Sequence, residues 1–420
     1  MSRMNLPTND DPFLNPLDAI LADVAVNLQL PPSFHDKATE RYEAVRTYAE
    51  RDGSPLKGHI LRFYPQGSMA IDATISTRGT DDEFDIDIVA ELNVAHMADP
   101  NWALDQLAEA LRGYPTSKRI ERQTRCVTVR YADGMHLDVT PAVRLPYTAE
   151  RESHIFHAHP EKAASEHYHV PMNAYGFVEW YRQRTPIEDR FAKAFNRRLF
   201  EAYGIMIKAA AEVDEVPDPT PVHVKNTATV ALQLLKRFRN IAYAEAGCRI
   251  PPSVMMSCFA GHAAAPNTSL TDMVIRQARM IAKHIWAASG RRERIKVVNP
   301  VYVHDCFTDR WPERIDQQNE FAQKLNEFAT GLEYLKRNDT SLEDLQVWLR
   351  DQFGSHVVSR SIQQINERMG RAVLAATQSY TPKGGIYVPS APKLMGVGAA
   401  SAASMPSVAK AHTFMGGRRQ

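Results

Sequence analysis

Apolar and polar positions follow two different rhythms along this chain. Up to about residue 165 the dominant pattern is alternation, the period of half-buried strands. It runs through "HILRFYPQGSMA" from His59, "EFDIDIVAEL" from Glu83 and "TRCVTVRYADGMHLDVTPAV" from Thr124. In the last of these, two alternating runs flank Ala132-Asp133-Gly134, which predicts a hairpin closed by a tight turn. Two helices interrupt the strands. One begins at "SFHDKATERYEAVRTYAERDG", with Ser33 and Asp36 as start signals and Gly53 beyond its end, and the other covers 101–113, "NWALDQLAEALRG".

Beyond Pro171 the apolar stripes recur at helical spacing in "GFVEWYRQRT", "EDRFAKAFNRRLFEAYGIMIKAAAEV" and "HVKNTATVALQLLKRFRNIAYAEAG". Further helices are predicted near 267–289, 313–337, 341–353 and 357–378, and Pro217, Pro219 and Pro221 punctuate the region. From about Tyr380 the composition turns to Gly, Ala, Ser and Pro, which cannot bury enough apolar surface to offset the entropy of ordering. The expected division is a flexible lead-in over 1–32, an α+β core over 33–165, a mainly helical domain over 166–378 and a flexible tail over 379–420.

Composition changes this picture little. With 44% hydrophobic residues, 24% charged residues and a formal charge of +1, the chain reads as an ordinary globular protein without bulk attraction to polyanions. Cys126, Cys248, Cys258 and Cys306 are scattered without a CxxC pair, which fits a reducing cytoplasm. The N-terminus has no basic region followed by an apolar one, and no segment approaches the length of a membrane span, so neither export nor membrane insertion is expected.

The chemistry concentrates in "YPQGSMAIDATISTRGTDDEFDIDIVAEL", residues 64–92. Alternation puts Phe84, Ile86 and Ile88 on one side of a strand and Asp85 and Asp87 on the other. Two neighbouring carboxylates repel each other unless a cation neutralises them, and magnesium usually takes one or two carboxylates plus phosphates and waters. Asp138 in "MHLDVTPAV" projects from a third strand in the same manner, and three such carboxylates could hold two Mg²⁺ ions, with Mn²⁺ as a substitute. Gly67 lets the backbone approach a phosphate and Ser68 supplies a hydroxyl donor. Asp81, Asp82 and Glu83 precede the alternation and are expected to be loop residues. No GxxxxGK[ST] loop is present, so this constellation points to nucleotidyl transfer without a P-loop.

With the Gly-Ser pair, the DxD and the third aspartate in order, the chain resembles the DNA polymerase beta nucleotidyltransferase superfamily. More narrowly, it resembles the bacterial cGAS/DncV-like nucleotidyltransferases (CD-NTases, SMODS type). "MNAYGFVEWYRQR", "ATVALQLLKRFRN", "IPPSVMMSCFAG" and "NPVYVHDCFTDRWPE" extend the likeness over roughly residues 33–378. The resemblance implies a polymerase-beta-like core and a helical domain flanking a central cleft. It also implies synthesis of a cyclic di- or trinucleotide second messenger in anti-phage (CBASS) defence, with release of pyrophosphate. By the same resemblance Asp85, Asp87 and Asp138 would hold the metals, Asp138 would also help activate the attacking hydroxyl, Ser68 would bind the donor triphosphate, and Lys236 and Ser253 would assist it. The implied partners are nucleoside triphosphates, ATP among them, and a product-sensing effector, with no nucleic-acid activator.

Two other readings of the core stay open: a linear oligonucleotide synthetase or RNA-tailing enzyme, and a nucleotide-binding scaffold whose tail recruits a partner. Elsewhere, His154, His157, His159, His167 and His169 crowd one segment, read as a polar crossover with zinc as the alternative. Cys258 with His262, or His304 with Cys306, could contribute to zinc in the same way, but their apolar neighbours favour core cysteines. Gly416-Gly417 near the end resembles a ubiquitin-like terminus, so conjugation by a ubiquitin-transferase-like partner stands beside an ordinary tail; Arg418, Arg419 and Gln420 would then need trimming.

Overall fold

A computed structural model describes residues 11–30, 32–76, 84–148, 151–210, 225–338, 340–374, 379–380 and 386–387. Its first helix, α1 (Pro16–Asn27), corrects the expectation of a flexible lead-in over 1–32. Asn15 caps the helix by accepting from the Leu17 amide, and Pro16 occupies the first turn, where its missing N–H costs nothing. Leu17, Leu21, Val24, Ala25 and Leu28 are all buried in the helical half. The prolines and acids around this helix disguised it, because its partners lie hundreds of residues away in sequence.

The core begins with α2 (Pro32–Ala49), followed by β1 (Ile60–Pro65), the single helical turn α3 (Gly67–Ala70), β2 (Phe84–Leu92) and α4 (Pro100–Leu111). β3 (Arg119–Arg122), β4 (Val127–Arg130), β5 (Met135–Arg144), β6 (Ser153–His157) and β7 (Tyr168–Met172) complete a seven-stranded mixed sheet. Its order is β1-β2-β5-β4-β3, with β2 and β5 parallel and the other pairs antiparallel. β5 is long enough to pair twice on one edge: its first half meets β4, and Ala142–Arg144 meets β6. The expected turn before β5 has Gly134 at φ +82°, a conformation that glycine adopts without penalty. α2 and α4 pack beneath the sheet on Ile86, Ile88, Leu137 and Val139.

The helical half contains α5 (Ala174–Arg184), α6 (Asp189–Ala210), α7 (Thr227–Ala242), α8 (Ser253–Ala263), α9 (Leu270–Gly290), α10 (Ile315–Arg337), α11 (Leu342–Phe353) and α12 (Ser355–Leu374). A two-stranded hairpin, β8 (Val298–Asn299) and β9 (Tyr302–Cys306), projects from it, and β9 packs beside β7. α1 lies against α6, α9 and α12, and its Asp23 accepts from Arg198 at 2.9 Å and from Arg368 at 2.8 Å. Within the expected tail, Ser379–Tyr380 and Ile386–Tyr387 pair as antiparallel strands. Residues 388–420, including Gly416 and Gly417, lie outside the described residues, as do Asp81, Asp82 and Glu83.

Candidate active site

β2 and β5 run parallel in register, with Asp87 opposite Asp138. Ile86, Ile88, Leu137 and Val139 are buried on the opposite side, so both carboxylates stand on the face turned away from α2 and α4. Asp85 lies in the same strand, opposite His136 in register, but its side chain is outside the described residues. Among the described residues no three His, Cys, Asp or Glu side chains form a metal-holding group. Asp87 and Asp138 nevertheless supply the two-carboxylate oxygen donor set that suits magnesium.

The turn after β1 is built against Asp87. The Gln66 amide donates to the Asp87 carbonyl at 2.9 Å. Gly67 has φ +60°, and a Cβ placed there would stand 2.2 Å from Asp87 Oδ2. Glycine is therefore required twice at this position, once by the backbone and once by the carboxylate against which it rests. Ser68 follows at the start of α3, its hydroxyl 3.3 Å from Thr74 Oγ1.

Thr128, on β4, sits opposite Asp138 and donates to its Oδ1 at 2.5 Å. That contact fixes one carboxylate oxygen. Alternation in "CVTVR" places Thr128 on the carboxylate face, and the hairpin expected about Asp133 sets it opposite Asp138; the hydrogen bond between them appears only in the structure. Cys126 lies beside both acids: burial, then Asp138, pushes its thiol well above the ordinary range. This thiol is protonated at neutral pH and is not a nucleophile.

The carboxylate face opens into a cleft of about 540 Å³ between the core and the helical half. Gln66, Gly67, Ser68, Thr74 and Asp87 form one wall, and Lys236, Arg239, Ser253 and Ser257 form another. Lys236 is buried and donates to the Ala73 carbonyl at 2.8 Å. Ser253 Oγ accepts from Arg239 Nη1 at 2.6 Å, and burial brings the Arg239 guanidinium down to about 10, still charged at neutral pH. Arg239 was not anticipated from sequence: Lys236, Arg237 and Arg239 of "LLKRFRN" are all buried, and nothing in the run shows that Arg239 joins Lys236 at the cleft while Arg237 does not.

Further along the cleft lie Asp305, Phe307, Asp309 and Arg310, with Arg125 reaching across from the core to pair with Asp309. Asp305 accepts from the Asn173 amide at 3.0 Å and from Asn299 at 2.9 Å, and burial raises its carboxyl above the usual range. Three histidines of the segment beside this end bond to other groups. His157 Nδ1 accepts from Arg125 at 2.9 Å and its ring stacks on Tyr168, while the His169 and His167 rings bond the carbonyls of Ala98 and His159. These contacts fit the polar-crossover reading.

Comparison with known proteins places the chain in a family. Residues 16–154 match the family described as Second Messenger Oligonucleotide or Dinucleotide Synthetase domain. The chain is 54% identical over 410 residues to the cyclic dinucleotide synthase CdnG of Bradyrhizobium diazoefficiens, covering 98% of this chain and 97% of that one. It is 21% identical over 366 residues to a c-di-GMP synthase of Roseivirga ehrenbergii, covering 85% and 90% of the two chains. The structure of the Bradyrhizobium enzyme in complex with GTP superposes with a TM-score of 0.75 over 84% of this chain and all of that one. The Vibrio cholerae cyclic AMP-GMP synthase DncV, 12% identical, shares the fold at a TM-score of 0.54, covering 84% of this chain and 97% of that one.

Proposed function

Because the chain belongs to the cGAS/DncV-like nucleotidyltransferases of SMODS type, enzymes of cyclic oligonucleotide synthesis, we propose that it joins two nucleoside triphosphates into a cyclic dinucleotide containing guanosine. The observation that carries the reading is the seating of Gly67-Ser68 against Asp87, with Asp138 alongside, at the wall of an interdomain cleft. The 54% identity to a cyclic dinucleotide synthase, and that enzyme's complex with GTP, support the product class and one substrate. ATP is proposed as the other candidate substrate.

Asp87 and Asp138, with Asp85 completing the set by its place in β2, would hold the magnesium. When bound, the metal lowers the pKa of a ribose hydroxyl and offsets charge on the phosphates. The amides of the Gly67-Ser68 turn and the Ser68 hydroxyl bind the donor triphosphate, and Lys236 and Arg239 supply positive charge across the cleft. Thr128 keeps Asp138 in place. A ribose hydroxyl of one nucleotide attacks the α-phosphorus of the other, a new P–O bond forms and pyrophosphate leaves. The same displacement, repeated within the linear intermediate, closes the ring. In the cell, the product would act as a second messenger for an effector protein in anti-phage (CBASS) defence. The family's bacterial character supports this role and a cytoplasmic setting; among the described residues no helix is long and apolar enough to cross a membrane.

The test is to incubate purified protein with magnesium and each nucleoside triphosphate, singly and in pairs, then apply phosphatase and mass spectrometry. A phosphatase-resistant cyclic dinucleotide containing guanosine is expected. Only linear, phosphatase-sensitive products would favour a linear synthetase instead.

A further inference from the structure

The segment just behind the Gly67-Ser68 turn belongs to the wrong half of the molecule. Ala70, Ile71 and Ala73 are buried in the helical core, although they follow β1 in the chain. Their backbone is held from the same side. The carbonyls of Ala70, Asp72, Ala73 and Thr74 each accept from a helical-half side chain: Arg182 at 3.1 Å, Lys225, Lys236 at 2.8 Å and Gln233 at 2.7 Å. Asp72 sits at φ +56°, a conformation that persists in a non-glycine residue only when its surroundings impose it.

Two of these gripped residues also hold Ser68. The Ala73 amide donates to the Ser68 carbonyl at 2.9 Å, and Thr74 Oγ1 lies 3.3 Å from the Ser68 hydroxyl. A continuous path therefore runs from α7 through Ala73 and Thr74 to the hydroxyl facing the cleft. Gln233, fully buried, is itself oriented by Gln29 of the segment after α1, at 2.9 Å. Lys225 is buried beside Asp72, and burial lowers its ammonium to about 8. Its charge is offset by the bond to the Asp72 carbonyl and by the Asp72 carboxylate, which tie Lys225 to this one residue of the segment.

We propose that Gln233 and Lys225 are positioning residues for nucleotide binding: by gripping the 72–74 backbone they set where Ser68 meets the donor triphosphate. This rests on the reading of Gly67-Ser68 as the triphosphate-binding turn. The helical half thus contributes to the phosphate site twice, directly through Lys236 and Arg239 and indirectly through the core's own turn.

The test uses the full-length protein carrying Gln233→Leu, Lys225→Met, Ser68→Ala and the double combinations. Calorimetry measures binding of a non-hydrolysable GTP analogue and of GMP in the presence of magnesium. Each positioning variant is expected to weaken the triphosphate analogue by about five- to tenfold while changing GMP by less than about twofold, the loss of one positioned hydrogen bond. In the Ser68→Ala background the same substitutions should add less than about twofold, because coupled residues are not additive. Equal weakening of GTP analogue and GMP, or full additivity with Ser68→Ala, would overturn the positioning role. Unchanged analogue binding in Ser68→Ala would instead overturn the assignment of the turn itself, and the proposal with it. If Lys225→Met does not fold, Gln233→Leu decides alone.

Discussion

Gly67 carries two demands that no other residue meets, a left-handed backbone and contact with the Asp87 carboxylate. Gly67→Ala should therefore displace one of the acids, lower stability by about 1–3 kcal/mol from backbone strain and reduce turnover by at least about a hundredfold. Denaturant unfolding and pyrophosphate release check the two effects. Thr128→Val removes the donor to Asp138 Oδ1 and keeps the side-chain volume. We expect the protein to fold normally and to lose about tenfold in turnover, a modest loss because one hydrogen bond is at stake. At this scale the sequence was most legible where chemistry and alternation coincide, at Asp87, Asp138, Gly67 and Ser68. Thr128 was overlooked although the hairpin register about Asp133 sets it opposite Asp138, whereas Arg239 was invisible because its partner Ser253 lies across a helix end that no local pattern encodes.

Elements were legible where periodicity was strong. The hairpin at Gly134, the long α2, α7 and the helices from α9 to α12 follow from alternation, stripes and caps, whereas α8 was not marked by any of these. α1 was missed because its surroundings read as a polar, proline-rich terminus, whereas its stability comes from α6, α9 and α12. Asp23 is central to that docking, being 1% exposed and paired with both Arg198 and Arg368. Asp23→Ala leaves two buried guanidinium groups short of their partner and should cost about 3–5 kcal/mol, read from urea denaturation.

The β6–β7 element predicts a pH effect. Burial, then the Arg125 charge, depresses the His157 imidazole from its ordinary 6.5 to about 4. Between those values the unfolded chain binds more protons than the folded one, so this stability is present above pH 6.5 and is lost as the pH falls towards 4. The melting temperature should thus fall more steeply between pH 6.5 and 4.5 in the native protein than in His157→Asn, whose amide oxygen can still accept from Arg125.

At the scale of the whole molecule, the two largest hydrophobic clusters among the described residues flank one cleft, and the chain crosses between them more often than its linear division implied. The lead-in helix and the 70–73 segment both join the helical core, so the boundary at residue 165 describes composition better than it describes packing. Such crossings are set by contacts between distant residues, Gln29 with Gln233 or Asp18 with Thr271, that periodicity cannot reveal. What the sequence did disclose is the order of the chemical groups; what the fold adds is the convergence of Ser68, Asp87, Lys236 and Ser253 on one cavity, with Asp138 beside Asp87 in the sheet. The central claim, that Asp87 and Asp138 at this cleft build a cyclic dinucleotide, is tested most directly by comparing native protein with Asp87→Asn. Both are incubated with GTP, ATP and magnesium, matched for folding by circular dichroism, and their phosphatase-resistant products are quantified by mass spectrometry. A cyclic dinucleotide is expected from the native protein and none above background from the variant; a comparable yield from a folded Asp87→Asn protein would contradict the role of Asp87.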